Sequence, residues 1–290
     1  MPELPEVEIV RRGLKAKIPG ETIQNVEIFR EQSIGYPKPK SFATLLVGRT
    51  FTDVSRRGKY LILHLQGKNA AQQASLIIHL RMSGRLLLLE NDRAAKKKFR
   101  FLRVQILLKT GRLLCFEDMR VFGRLYHVTS EKDLARAIPS FSKLGIEPLE
   151  DLTASQLFTL FKNRRQAIKS ALLDQTLIAG IGNIYADEIL FQAGIHPLTP
   201  ALKITSKQAK LLTQIIPDTL KRAIKRGGSS IKDFVNSDGV NGNYQHESLV
   251  YGRTAKPCRK CKSPIVRVKI SGRYAHFCPA CQKKWLDEAR

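Results

Sequence analysis

Four cysteines near the carboxyl end, Cys258-x2-Cys261-x16-Cys278-x2-Cys281, restrict what this chain can fold into more than any other feature. Two such knuckles offer four thiolates, enough to close a tetrahedral shell around one Zn²⁺. With every position filled no place remains for a catalytic water, so the metal is expected to be structural. Between the knuckles, residues 265–270 and 273–277 read as two strands joined by Ser271-Gly272, which makes a metal-stiffened hairpin. Arg273 falls at or beside its tip, either as a placed contact or as a solvated arginine. The fifth cysteine, Cys115, lies in the apolar run Leu113-Leu114-Cys115-Phe116 and reads as a buried thiol.

The other end carries a different chemistry. The chain opens Met1-Pro2-Glu3-Leu4-Pro5-Glu6. Removal of Met1 is expected, because Pro2 is a small second residue that methionine aminopeptidase accepts. Pro2 then offers a secondary amine. An α-amino group titrates near pH ~8, against ~10.4 for a lysine, so a useful share is unprotonated at neutral pH. The free amine is a nucleophile, and its attack on a sugar C1′ gives a Schiff base, a covalent route to catalysis. Residues 5–17 follow as one amphipathic helix, with Leu4, Val7, Val10 and Leu14 on one side. Acidic residues precede basic ones along it, as the helix dipole favours. That dipole lowers the pKa of an amine at Pro2, whereas Glu3, Glu6 and Glu8 raise it.

Charge narrows the partner. Fifty Lys+Arg against twenty-five Asp+Glu give +25, a field that attracts a polyanion. The cations spread along the whole chain, which favours a long groove over a basic tail. No apolar run approaches the ~20 residues that span a bilayer. The acidic, proline-containing start does not read as a signal peptide. A cytoplasmic, nucleoid-associated monomer is expected.

Along the chain, residues 21–128 carry short apolar or alternating runs at 60–65, 76–80, 86–89, 102–108, 113–116 and 125–128. Leu102, Val104, Ile106 and Leu108 form one predicted face. Residues 66–75 read as a loose hairpin loop. From about 131 the period turns helical, at 153–161, 167–173, 184–193 and 207–224. Gly227 to Gly252 reads as a long mobile loop. The fold class is therefore α+β: an amino-terminal β-sandwich (1–130), a helical region (131–245) and the cysteine finger (246–290).

Other motifs are weak singly. Gly180-Ile181-Gly182-Asn183 before a helix is either an anion-binding turn or a plain turn. It lacks the third glycine and the preceding strand of a dinucleotide site. Arg56-Arg57-Gly58-Lys59-Tyr60 is a charged turn entering a strand, as often solvated as functional. Met82, Arg120 and Phe122 are bland alone, and the six histidines have no metal-ligand spacing.

Together and in this order, the motifs carry a specific resemblance. Met1-Pro2-Glu3-Leu4-Pro5-Glu6-Val7-Glu8, Arg57-Gly58-Lys59-Tyr60-Leu61, His79-Leu80-Arg81-Met82-Ser83-Gly84, Gly180-Ile181-Gly182-Asn183-Ile184-Tyr185-Ala186, Ser237-Asp238-Gly239 and the finger span nearly the whole chain. The chain resembles the Fpg/Nei family of bacterial DNA glycosylases, in its formamidopyrimidine-DNA glycosylase branch. The resemblance implies a helix–two-turns–helix middle region, a zinc finger with one structural Zn²⁺ and no organic cofactor. It also implies a bifunctional base excision repair enzyme. Such an enzyme excises 8-oxoguanine and formamidopyrimidines from double-stranded DNA, and cuts the strand there or at abasic sites by β,δ-elimination. By motif position Pro2 is the implied nucleophile, Glu3 the acid for sugar-ring opening and Lys59 the lysine beside the lesion nucleotide. Arg273 and Asn183 clamp the flanking phosphates, and Arg164 stands where the family has a phosphate-binding lysine. Met82, Arg120 and Phe122 fill the gap left by an extruded base. Residues 236–246 are the expected base-reading loop. Besides Arg164, two departures stand out. Met119-Arg120-Val121-Phe122-Gly123 replaces the common Pro-Arg-Arg-Phe-Gly. Lys96-Lys97-Lys98-Phe99-Arg100-Phe101 lacks a usual histidine. Leu4 stands where the endonuclease VIII-like branch, which prefers oxidised pyrimidines, usually has glycine. A DNA-binding zinc-finger protein without catalysis is the rival outside enzymes.

Overall fold

The computed structural model describes residues 2–67, 72–90, 99–150, 152–230 and 234–284. Met1 and the Lys96-Lys97-Lys98 run lie outside them. The chain separates into two compact units, Met1–Lys143 with Arg226–Asn243, and Leu144–Lys225 with Tyr244–Arg290.

The first unit is a β-sandwich. One sheet runs β1 (Ile23–Ile28), β7 (Leu102–Leu108), β8 (Leu113–Asp118), β6 (Gly84–Leu89), antiparallel throughout. The other runs β2 (Ile34–Tyr36), β9 (Arg124–Val128), β5 (Gln73–His79), β4 (Tyr60–Gln66), β3 (Thr50–Arg57), with only β2–β9 parallel. Inward residues of both sheets form one apolar cluster: Val26, Leu86, Val104, Ile106 and Leu114 meet Val54, Leu61, Leu63, Leu76 and Ile78. Val7, Val10 and Leu14 of helix α1 (Leu4–Lys15) and Phe42 and Leu46 of helix α2 (Pro39–Leu46) complete it. Burying one such side chain stabilises the fold by roughly 1.5–3 kcal/mol. A third helix, α3 (Glu131–Ala137), is capped by Ser130, whose hydroxyl accepts from the Asp133 N–H.

Two local features differ from the sequence reading. The ladder shifts register between Leu102 and Val104. A bulge of this kind turns the next side chain to the other face. Leu102 accordingly packs with Leu107 and Cys115, while Val104 and Ile106 enter the sandwich core. The stretch from Gly227, expected to be mobile, is anchored at its described residues. Phe234 enters the sandwich core, Ser229 N–H donates to Glu6 at 2.8 Å, and Leu88 N–H donates to the Ser237 carbonyl at 3.0 Å.

The second unit packs helices α4 (Ala154–Phe161), α5 (Ile168–Leu173), α6 (Asn183–Gln192) and α7 (Ser206–Lys225) with a two-stranded sheet, β10 (Val266–Ile270) and β11 (Arg273–Phe277). Thr153 and Gln156 form a reciprocal capping box at the start of α4. Leu157, Phe161, Leu172, Ile189, Leu212, Ile216 and Leu220 are buried among these helices. The long α7 tolerates Pro217 in its interior. No helix among the described residues is long and apolar enough to cross a membrane.

Candidate active site and nucleic-acid interface

The amino-terminal residues are held, not frayed. Pro2 is buried, and Glu3, buried as well, forms the N-cap of α1 in an extended conformation. The Glu6 carboxylate accepts the Glu3 N–H at 2.8 Å and the Ser229 N–H at 2.8 Å, one oxygen to each. One buried side chain thus fixes the start of the helix and the Gly228-Ser229 segment together. Two residues on, Glu8 accepts from Arg11 (2.9 Å), Arg12 (2.8 Å) and Arg56 (3.2 Å). Burial alone pushes the Glu8 carboxyl pKa up. Hydrogen bonds from Arg11 and Arg12 and the charges of Arg11 and Arg56 outweigh it, leaving the group below the ordinary carboxylate value.

Lys59 is reached through the same latch. Arg57 pairs with Tyr60 across β3 and β4, so Gly58-Lys59 is a two-residue hairpin loop. Gly58 takes φ 56, the positive value such loops demand of their first central residue. Arg56 Nη1 donates to the Gly58 carbonyl at 3.0 Å while its Nε holds Glu8. Helix α1, which follows directly on Pro2 and Glu3, is therefore fastened to the turn that carries Lys59. Lys59 is largely buried, and its charge helps hold the neighbouring His79 neutral.

A second cluster stands on the β5–β6 and β8–β9 connections of the same unit. Met82 and Phe122 are 40% and 47% exposed, large apolar side chains in water. Arg120 joins them: Nη1 lies 3.4 Å from Met82 Sδ, and the guanidinium sits 4.7 Å from the Phe122 ring centre. The departure residue Met119 is also half exposed. Asp118, fully buried, holds both connections. It accepts from Ser83 Oγ (2.5 Å), Arg120 N–H (3.1 Å) and Gly123 N–H (2.7 Å). Flanking residues Arg81 and Val121 adopt φ 53 and 56, a left-handed backbone that costs a side-chain-bearing residue energy. The three side chains form an exposed cluster on a strained, well-anchored base.

In the second unit, Arg273 opens β11 directly after the Ser271-Gly272 turn, where φ is 46 and 80. It is exposed. Asn183, the first residue of α6, donates from Nδ2 to the Tyr274 carbonyl at 3.3 Å, and its Oδ1 is buried with no partner. The same carbonyl accepts from Lys169 Nζ at 2.7 Å. Lys169 is completely buried and paired with Asp187 at 2.6 Å, and Asp187 also accepts the His276 N–H at 2.9 Å. Asn183 and the Arg273 turn are thus brought to one place. Arg164 lies just past the end of α4, and its Nε donates to the Leu160 carbonyl of that helix.

The cysteine cage is formed. Ligand atoms of Cys258, Cys261, Cys278 and Cys281 all lie within 4.8 Å of one another. Two of the sulfurs accept backbone N–H groups, Cys258 from Lys260 (3.4 Å) and Cys278 from Cys281 (3.5 Å), a surrounding suited to thiolates. This donor set fits one structural Zn²⁺ with no open position.

Residues 1–125 match the model of the formamidopyrimidine-DNA glycosylase N-terminal domain, residues 144–235 the H2TH domain of the same enzymes, and residues 255–284 the zinc finger found in FPG and IleRS. A formamidopyrimidine-DNA glycosylase of Gloeobacter violaceus is 42% identical over 286 residues, 98% of each chain. The chain belongs to the formamidopyrimidine-DNA glycosylase family. A family member from Bacillus licheniformis is 41% identical over 98% of this chain and 100% of its own. Among solved structures, a Lactococcus lactis Fpg mutant in complex with Fapy-dG-containing DNA superposes with a TM-score of 0.87 at 36% identity, covering 98% of this chain and 100% of that one. A complex of Lactococcus lactis Fpg with abasic-site DNA gives 0.87 and 36% over 97% of this chain.

In this family member, sequence reasoning gave Glu6, Glu8 and Arg56 no structural role, and it missed Asp118, Lys169, Asp187 and Glu188 altogether. Glu188 is buried, and its carboxylate accepts the N–H groups of Leu249, Val250 and Tyr251 at 2.8–3.0 Å, fastening the segment that leads to the finger. Burial pushes its pKa up against those three bonds. The one available signal was an acidic residue inside an apolar helix, such as Asp187-Glu188 between Ala186 and Ile189.

Proposed function

We propose that this protein is a bifunctional DNA glycosylase and abasic-site lyase that removes oxidised purines from double-stranded DNA. Membership of the formamidopyrimidine-DNA glycosylase family supports the glycosylase, as do complexes of its Lactococcus relative with Fapy-dG and abasic-site DNA. One observation supports the chemistry most: a buried Pro2-Glu3 end pinned by Glu6 and latched through Glu8–Arg56–Gly58 to the turn of Lys59.

The lesion nucleotide is first extruded, since C1′ cannot be reached in stacked duplex. Met82, Arg120 and Phe122 occupy the space it leaves. With Met1 removed, the Pro2 nitrogen bonds to C1′ as the bond to the damaged base breaks and the base departs with a proton. Glu3 donates a proton to the ring oxygen, the sugar opens, and an iminium remains. The iminium acidifies the 2′ proton. Its loss expels the 3′ phosphate, and a second elimination expels the 5′ phosphate, Lys59 supplying a proton during cleavage. Water hydrolyses the imine and frees Pro2. Arg273, Asn183 and Arg164 hold phosphates in this reading. Zn²⁺ keeps the finger folded and takes no step.

Borohydride reduction during turnover of an 8-oxoguanine duplex tests the reading. A covalent adduct mapped to Pro2 by mass spectrometry, and absent in Pro2→Gly, is expected. An adduct on another residue removes the proposed nucleophile. No adduct, with DNA still bound, leaves the non-catalytic finger protein in front. An oxidised-pyrimidine duplex run alongside reads the branch, and faster excision there would overturn the purine assignment.

A further inference from the structure

The finger hairpin carries an aromatic residue that none of the roles above uses. Tyr274 follows Arg273 on β11 and is 46% exposed. Antiparallel pairing sets Lys269 directly opposite it and Arg267 opposite His276. Arg267 crosses diagonally, and its guanidinium lies 4.3 Å from the Tyr274 ring centre. Arg267 and Lys269 are both exposed. Alternate residues Ala275 and Phe277 turn inward, so Tyr274 is on the outward side of the hairpin.

The backbone beneath this ring is unusually well held for a hairpin tip. The Tyr274 carbonyl accepts from buried Lys169 at 2.7 Å and from Asn183 at 3.3 Å. Two residues on, Asp187 takes the His276 N–H at 2.9 Å and faces its Nδ1 at 3.0 Å. A rigid base, an aromatic face and three cations within a few residues (Arg267, Lys269, Arg273) match the chemistry of a deoxyribose–phosphate chain: sugar against the ring, phosphate against the guanidinium. Arg267, already stacked, loses little freedom on binding.

We propose that Tyr274, with Arg267 stacked on it, forms a second backbone contact on the finger, holding one sugar–phosphate unit of the DNA beside the one assigned to Arg273. The proposal rests on the DNA-binding reading above. The two residues contribute differently. The ring supplies uncharged packing, so its loss weakens binding equally at all salt concentrations. Arg267 supplies a counterion-releasing contact, so its loss flattens the salt dependence by about 0.9 in log–log slope.

The experiment uses the zinc-loaded full chain and a duplex with a tetrahydrofuran abasic analogue, read by fluorescence anisotropy over a salt series. Zinc content and thermal midpoint are recorded for each variant. Tyr274→Ala is expected to raise Kd on the order of tenfold with the slope unchanged, the range typical of lost aromatic packing on nucleic acid. Tyr274→Phe keeps the ring and is expected to stay within about twofold of wild type on the same ground. Arg267→Gln is expected to lower the slope, while Lys207→Gln on α7 gives the background for a lone surface cation. Wild-type affinities and slopes in both Tyr274→Ala and Arg267→Gln would overturn the proposal, and so would a fall in thermal midpoint without a change in Kd. Failure of the wild type itself to bind would instead overturn the DNA reading, and this proposal with it.

Discussion

Single buried groups decide much at the residue scale. Asp118 satisfies a hydroxyl and two backbone N–H groups under the Met82–Arg120–Phe122 wedge. Asp118→Ala takes this acceptor from Ser83 Oγ and the Gly123 N–H, while the Arg120 N–H keeps Ser83 Oγ at 3.2 Å, and is expected to cost about 2–4 kcal/mol, read from urea unfolding. Met82→Ala removes an exposed side chain and is expected to stay within about 0.5 kcal/mol of wild type in the same assay. Two histidines give the unit a pH dependence. Burial, with the charges of Arg81 and Lys59, holds His79 down to about 3, and burial with Arg49 holds His127 down to about 4. A histidine whose folded pKa lies below its unfolded ~6.5 binds its proton more readily when unfolded. Stability is therefore full above about pH 6.5 and falls as pH drops toward the folded values. From pH 7 to pH 5 each histidine is expected to remove about 1–2 kcal/mol. His127→Leu, which replaces a ring whose Nε2 has no partner, should flatten about half of that slope. An unchanged slope would show that His127 titrates normally in the fold.

Elements were legible where periodicity and spacing act locally. Helix α1 declared itself through Leu4, Val7, Val10 and Leu14, α4 through the helical period over 153–161, and the finger through its cysteines. Strand β3 did not, because a register shift between Phe51 and Asp53 breaks its alternation. Helix α2, only eight residues long, sits within a stretch of β character and buries just Phe42 and Leu46. The site shows the same division. Pro2, Glu3, Lys59, Asn183 and Arg273 lie in local motifs. Their supports, Glu6 with Ser229, Arg56 with Glu8 and Glu188 with residues 249–251, join positions far apart in the chain, where a carboxylate meeting a backbone N–H leaves no mark in the sequence. The finger offers a test at this scale. The apolar cluster at the finger is small, Phe191, Val250 and Ile265 with Cys258 and Cys278 themselves, so much of its order depends on the metal. Stripping zinc with a chelator at neutral pH is expected to speed amide exchange across residues 258–282, while β4 and β5 of the sandwich keep their protection. Hydrogen exchange read by mass spectrometry resolves the two, and equal protection with and without zinc would show that packing alone holds the finger.

For the molecule as a whole, the excess of positive charge sets how it meets its substrate. A chain of +25 binds any polyanion to some degree, so affinity alone says little about damage recognition. Salt separates the two contributions. Phosphate contacts release counterions, and 6–10 of them lose roughly 10³–10⁵ in affinity between 50 and 200 mM salt. Undamaged and abasic-analogue duplexes are expected to share most of this slope, because the phosphate contacts proposed for Arg273 and the other cations do not depend on the base. What is expected to separate the two curves is the uncharged part: the proposed wedge no longer has to unstack a paired base, and such a difference persists at high salt. Anisotropy titrations on both duplexes measure slope and offset together. Parallel, steep lines with a constant gap are the expected outcome. A gap that closes with salt would mean that extra phosphate contacts, rather than the Met82–Arg120–Phe122 wedge, tell a gapped duplex from an intact one.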